Sequence, residues 1–197
     1  MRVRFDKLLL LKGRGLTYGK SEANDKNGTT FLSEMTLADT EILFGYWSDD
    51  SVTRYMNIEP FQSLQPVEEM IRMLRQLEIE GKALRCVIIL QATGEIIGTC
   101  GFNYIDHENH RAEIAYDLGT RFWKRGYATE AVRALMEWGK ESFELHRIEA
   151  KVDPRNSASI ALLEKLGFSK EGLLRDYEKI GETYQDVQLF SWIDEIQ

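Results

Sequence analysis

From residue 112 to residue 118 the side chains alternate. Ile114, Tyr116 and Leu118 fall on one side and Glu113, Ala115 and Asp117 on the other, a period of two that predicts a strand. After Gly126 the period lengthens. Ala128, Ala131, Val132, Leu135 and Trp138 recur at helical spacing, with Glu130, Arg133 and Glu137 opposite, where they can pair along the helix. A strand over His146–Val152 follows. Strand, helix and strand then form one unit, whose strands are parallel neighbours or a splayed pair.

The flanking chain can be parsed in the same way. Phe31–Met35 predicts a first strand, and Thr36 with Asp39 three residues on resembles a capping box. The helix it opens has Leu37, Ile42, Leu43 and Tyr46 on its apolar side. A short helix is expected over Asp49–Tyr55. A longer one follows with Pro66 in its first turn, Met70, Met73, Leu74 and Leu77 inside, and Gly81 as its stop. Arg85–Leu90 and Ile96–Tyr104 flank a turn at Ala92–Gly94 and read as an antiparallel hairpin. Beyond Val152, Asp153–Asn156 turns into a last helix. Gly167 is its left-handed stop, with Phe168 in reach of Leu163. Strands over Phe168–Leu174 and Thr183–Trp192 finish the chain. The sum is an α/β (α+β) fold: a mixed, strongly twisted, mainly antiparallel sheet of about seven strands with helices on both faces.

Residues 30–197 are expected to form a single domain, which suits a chain of 197 residues. Residues 1–29 are turn-rich and read as an extension, either a hairpin or a mobile arm. Their glycines at 13, 15 and 19 miss dinucleotide-fingerprint spacing by one residue, and no helix follows. No apolar run nears the ~18 residues of a membrane span, so no membrane partner and a cytoplasmic location are expected. Cys86 and Cys100 lie in strand-like runs and read as buried free thiols. His107 and His110 have no supporting cluster, so no metal is expected. The net charge of −7 argues against direct nucleic-acid binding and suits a cationic partner.

The chemistry concentrates at Gly126. A strand end, a tight loop and a helix start aim several unpaired N–H groups at one spot, and the helix dipole adds positive potential there. Gly126 removes a Cβ that would block close approach, and Ala128 keeps the next turn small. Arg121, Lys124 and Arg125 add three cations. A diphosphate is the natural occupant, on the backbone from Arg125 to Glu130.

This stretch resembles the acyl-CoA-binding core of the GNAT superfamily of N-acetyltransferases. Gly126 and Ala128 fit its loop signature, although Trp123 stands where Gln or Arg is usual. Trp123 followed by Gly126, Tyr127, Ala128, Thr129, Glu130 and Ala131 is similar to the branch of ribosomal-protein (Ser/Ala) N-terminal acetyltransferases. Asn156, Ser159 and the Leu166, Gly167, Phe168 run match a second signature. The resemblance implies acetyl-CoA as cosubstrate and a strand ending at Tyr116, Asp117 and Leu118 that splays and offers free amides. It also implies that Lys124, Arg125, Gly126, Tyr127, Ala128 and Thr129 hold the diphosphate. Asn156, besides capping a helix, would bond the cofactor arm, and Ser159 would approach the sulfur. The tyrosine many members use as acid is absent, since Leu163 holds that place.

Two carboxylates compete for the role of general base. Glu113 lies on the strand beside the reaction site. Glu178 follows Glu171 and Gly172 at the offset of the branch's glutamate. The acceptor is a primary amine, and basicity favours an α-amine: at pH 7 deprotonation costs ~1.1 kcal/mol for an α-amine and ~4.6 for a lysine. The N-terminus of a ribosomal or other protein is therefore expected. A small-molecule acceptor (polyamine, amino acid or antibiotic) and a non-catalytic acyl-CoA sensor are the alternatives, and the chain is expected to be a monomer or homodimer.

Overall fold

The computed structural model describes residues 17–18 and 29–195. Its strands are β1 (Thr17–Tyr18), β2 (Thr30–Glu34), β3 (Leu84–Leu90), β4 (Ile96–Asp106), β5 (Arg111–Leu118), β6 (Arg147–Val152), β7 (Ser169–Ile180) and β8 (Thr183–Ile193). Its helices are α1 (Thr40–Trp47), α2 (Asp50–Thr53), α3 (Leu64–Ile79), α4 (Tyr127–Phe143) and α5 (Ser157–Lys165). One sheet runs β1-β2-β3-β4-β5-β6-β8-β7, with every neighbouring pair antiparallel except β5 and β6. Seven strands lie beyond residue 29 as expected, and β1 makes the eighth. Apart from that strand and Thr29, the hairpin or arm expected over 1–29 lies outside the described residues.

The parallel pair is short. Arg111, Ala112 and Glu113 meet Arg147, Ile148 and Glu149, and there the ladder stops. Beyond Glu113, β5 stays with β4, while β6 follows β8. The two strands therefore diverge and leave a gap in the sheet, the splayed alternative of the expected unit.

Each face carries a core. Under α4 and α5, Phe102, Leu135, Ile148, Leu163 and Phe190 pack together. Under α1 and α3, Met35, Leu43, Trp47, Val67, Ile71 and Val87 do so. Two apolar faces differ from expectation. Leu43 and Tyr46 face the core as expected, but Leu37 and Ile42 are 40% and 44% exposed, because a 3₁₀ turn over Leu37–Asp39 rephases the helix and turns Thr40 and Trp47 inward. On α3, Val67 and Ile71 meet the sheet, Met70 and Leu74 pack against that core and also line a cavity, and Met73 and Leu77 line the cavity only. Cys86 and Cys100 are opposed across β3 and β4, fully buried and unbridged. Burial pushes both thiols up, Cys100 to about 12.

The β7 strand is longer than the expected Phe168–Leu174. It continues to Ile180 through a register shift between Leu174 and Glu178. Asp176 takes the left-handed conformation at this bulge (φ 49°), and its N–H donates to Asp186 Oδ1 at 2.9 Å.

The start of β2 is tied to the first turn of α4. Thr29 and Thr30 donate both backbone N–H groups and both hydroxyls to the Glu130 carboxylate, at 2.5–2.9 Å. Glu130→Ala is expected to lower stability by roughly 1–3 kcal/mol, the range for stranding charge-assisted donors, and thermal melting measures it.

Candidate active site

The strand–turn–helix stretch has free amides. Gly126 is left-handed (φ 85°) and precedes Tyr127, the first residue of α4. Among the described residues nothing accepts from the N–H of Arg125, Gly126, Tyr127, Ala128 or Thr129; the first bond of the helix is Glu130 N–H to the Gly126 carbonyl at 3.1 Å. A Cβ at Gly126 would meet no atom of the described residues within 4 Å, so the space above it is open among them. The turn suits an anionic group such as a diphosphate. Lys124 and Arg125 are exposed beside it. Arg121 is committed elsewhere: it pairs with Glu95 and stacks 4.7 Å from the Phe122 ring centroid. Trp123, at the departing position of the signature, donates its indole N–H to the Leu118 carbonyl at 2.7 Å.

Strand register decides which amides face the gap. Gly119 N–H bonds the Ile97 carbonyl, across the Leu118–Gly98 pair. Leu118 is thus a non-hydrogen-bonded partner of Gly98, and alternation gives Tyr116 the same status opposite Cys100. The backbone groups of Tyr116 and Leu118 point away from β4, toward the side that β6 has left. Asp117 points the other way. Its main chain pairs with Thr99, and its carboxylate is buried, accepting from the Thr99 hydroxyl and from Trp47 Nε1 at 3.3 Å. Burial raises Asp117, with these bonds and Arg85 opposing. It buttresses the strand from the α1 side.

A cavity of about 400 Å³ lies alongside, and Glu113, Tyr116, Asn156, Ser159 and Glu178 all line it. The Gly126 turn lies outside this cavity, so the candidate residues form two groups, one at the turn and one around the cavity. Asn156 caps α5: its Oδ1 accepts from Ser159 N–H at 3.1 Å, which leaves its amide hydrogens without an acceptor among the described residues. The Ser159 and Tyr116 hydroxyls are 2.7 Å apart. Burial pushes the Tyr116 phenol up to about 12, against the opposing Ser159 bond, so it stays protonated at neutral pH. Leu163, one turn on, is fully buried in the core.

The two glutamates are in different situations. Glu113 forms an ion pair with Lys151 Nζ at 2.8 Å. Lys151 also lies 5.0 Å from the Tyr177 ring centroid; burial alone would lower it, but its bonds to Glu113 and Tyr177 hold it above its ordinary value. Glu178 is half-buried, and no ion pair engages it among the described residues. Burial raises its carboxyl, Lys151 opposes, and Glu113 and Asp153 reinforce the rise. The β7 bulge aims it into the cavity, a common use of bulges beside active sites. Glu171, seven residues earlier, is held to about 2 by Arg147 and Ser191 and serves as a strand tie. Lys151 and Arg85 also line the cavity; neither carries a sequence signal, because strand pairing alone places them there.

Comparison with known proteins agrees with this geometry. The N-acetyltransferase p20 of Bacillus licheniformis, itself uncharacterized, is 54% identical over 160 residues, 81% of this chain and 90% of that protein. The ribosomal protein uS5-alanine N-acetyltransferase of Escherichia coli (strain K12) is 30% identical over 115 residues, 58% of this chain and 59% of its own length. The structure of the microcin C7 self-immunity acetyltransferase MccE in complex with acetyl-CoA and AMP has a TM-score of 0.77 at 26% identity, covering 85% of this chain and 93% of that one. Residues 30–169 match the acetyltransferase (GNAT) domain family, and the chain belongs to that family of N-acetyltransferases.

Proposed function

We propose that the chain transfers acetyl from acetyl-CoA directly to the α-amine of a protein N-terminus. The similarity to an enzyme named for a ribosomal-protein alanine supports a protein acceptor. The observation that carries the reading is Glu178, a half-buried carboxylate of raised affinity for protons that shares one cavity with Ser159. Such a base is matched to an α-amine, whose deprotonation costs ~1.1 kcal/mol at pH 7.

The amides of Arg125 to Thr129 hold the diphosphate, with Lys124 and Arg125 beside it. Tyr116 and Leu118 N–H groups bond the pantetheine arm and the acetyl oxygen. Asn156 offers its amide hydrogens to the same arm. Glu178 takes the proton from the acceptor ammonium, and Glu113 holds Lys151 in place. Bound acetyl-CoA supplies the acetyl group, the C–N bond forming as the C–S bond breaks. Ser159 donates its proton to the departing sulfur and regains one from the Tyr116 hydroxyl, which is itself reprotonated by solvent, while the second proton of the acetylated nitrogen is lost to solvent. Tyr116 thus supplies from β5 the phenol that α5 lacks at Leu163.

Tyr116→Phe is expected to reduce kcat roughly fivefold, the worth of one ~1 kcal/mol hydrogen bond, with the acetyl-CoA KM within a factor of about two. An equal fall in kcat/KM for acetyl-CoA with kcat unmoved would assign Tyr116 to binding alone. The acceptor is tested with labelled acetyl-CoA against peptides with free or blocked N-termini, spermidine and free amino acids. Label on the α-amine of free peptides is expected. Label only on a small molecule, or on nothing, would replace this reading with one of its alternatives.

A further inference from the structure

Arg85 is a cation in the cavity that the chemistry above does not use. It stands on β3 opposite Gly101 of β4, which stands opposite Ala115 of β5, so three residues form one row across the sheet. Gly101 has no side chain, and any Cβ there would lie 2.0 Å from the Leu84 carbonyl oxygen. The arginine therefore reaches over a bare strand. Its Nη1 lies 3.3 Å from the Ala115 carbonyl, and its Nη2 donates to Asn103 Oδ1.

Those bonds use two of the five guanidinium N–H donors. Among the described residues no carboxylate makes an ion pair with Arg85, and Asp117 on the same face takes Thr99 and Trp47 instead. The other carboxylates of the cavity have their own cations or stand apart: Glu113 takes Lys151, and Asp153 takes Arg155. Arg85 is a planar fork facing a cavity, suited to a carboxylate brought by the acceptor.

Its distance from the reaction point sets the kind of acceptor. The Ala115 carbonyl and the Tyr116 N–H belong to one peptide unit, with the arginine on one side and the acetyl oxygen on the other. A carboxylate on Arg85 would lie roughly 8–12 Å from the attacked carbonyl, since two hydrogen bonds of about 2.9 Å, the 3.3 Å contact and the peptide unit lie between them. One extended residue spans about 3.3–3.6 Å. The carboxylate of a free amino acid, two bonds from its own amine, falls short. An acidic side chain on the first or second residue of a peptide reaches.

We propose that Arg85 selects N-termini bearing Asp or Glu at the first or second position. This rests on the N-terminal acetyltransferase reading and names its substrate class. The test is a set of otherwise identical peptides with Asp, Glu, Ala or Lys at position two, and a parallel set at position one, assayed for kcat/KM. The wild-type protein is expected to favour an acidic peptide at least tenfold over Ala, with Lys poorest. Arg85→Gln should bring acidic and Ala peptides within about twofold, and Arg85→Lys should restore part of the ratio. Calorimetry with acetyl-CoA verifies that each variant is folded.

Transfer to all peptides without an acidic preference, or a preference that survives Arg85→Gln, overturns the selectivity and leaves the N-terminal acetyltransferase reading standing. No transfer to any peptide overturns both.

Discussion

Replacing Gly126 by Asp should abolish acetyl-CoA binding in a protein that still folds. A Cβ at this position meets no atom of the described residues within 4 Å. The internal cost is the left-handed backbone, about 1–2 kcal/mol for a residue with a Cβ. The ligand experiences more. An aspartate carboxylate would stand where the free amides of Tyr127, Ala128 and Thr129 converge, opposing a diphosphate at close range. Like charges ~4 Å apart at an effective dielectric near 20 repel by about 4 kcal/mol, so the Kd should rise by at least ~100-fold. Gly126→Ala carries no charge and should cost on the order of tenfold through hindered approach and strain alone. Calorimetry reads both, with circular dichroism as the control for folding. Unchanged affinity in Gly126→Asp would move the diphosphate elsewhere.

Glu178→Gln should lower kcat by roughly 10²-fold at pH 7, the lower end of what a positioned base contributes. The pH dependence gives the sharper test. Burial raises the native carboxyl, so the wild-type rate falls on acidification as this group gains a proton. The variant has no such group and relies on acceptor that is already neutral. That fraction climbs from roughly 14% at pH 7 to about 94% at pH 9 for an α-amine, so the deficit should narrow some sevenfold over this range. Glu113→Gln removes the partner of Lys151 and one of the charges that raise Glu178, so the acid limb should move to lower pH with no deficit that narrows toward pH 9. A deficit in Glu178→Gln that stays constant with pH would remove Glu178 as the base. A narrowing deficit in Glu113→Gln would transfer the role to Glu113.

The turn at Gly126 was legible because its signals are local. Strand alternation up to Leu118, glycine at a left-handed position, and helical spacing from Ala128 all fall within twenty residues. The Asn156 cap and the Gly167 stop are local in the same sense. Phase was less legible: the 3₁₀ turn at Leu37–Asp39 shifted which residues of α1 face inward, and apolar spacing alone does not report such a turn. On α3, Met73 and Leu77 read as core alongside Met70 and Leu74 because a cavity wall and a packed interior have the same apolar spacing.

The sequence by itself determined the order and type of the elements, the amide-rich loop, and the family, since each depends on residues close together along the chain. Tertiary structure alone decided that Glu113 is ion-paired while Glu178 is not, that the Tyr116 and Ser159 hydroxyls meet, and that Arg85 reaches over Gly101. These depend on strand register between residues 14 to 36 positions apart, from Gly101 and Ala115 to Glu113 and Glu149, and on a bulge whose anchor, Asp186, lies across a hairpin. Register follows from the packing of whole faces against one another, which no local window contains.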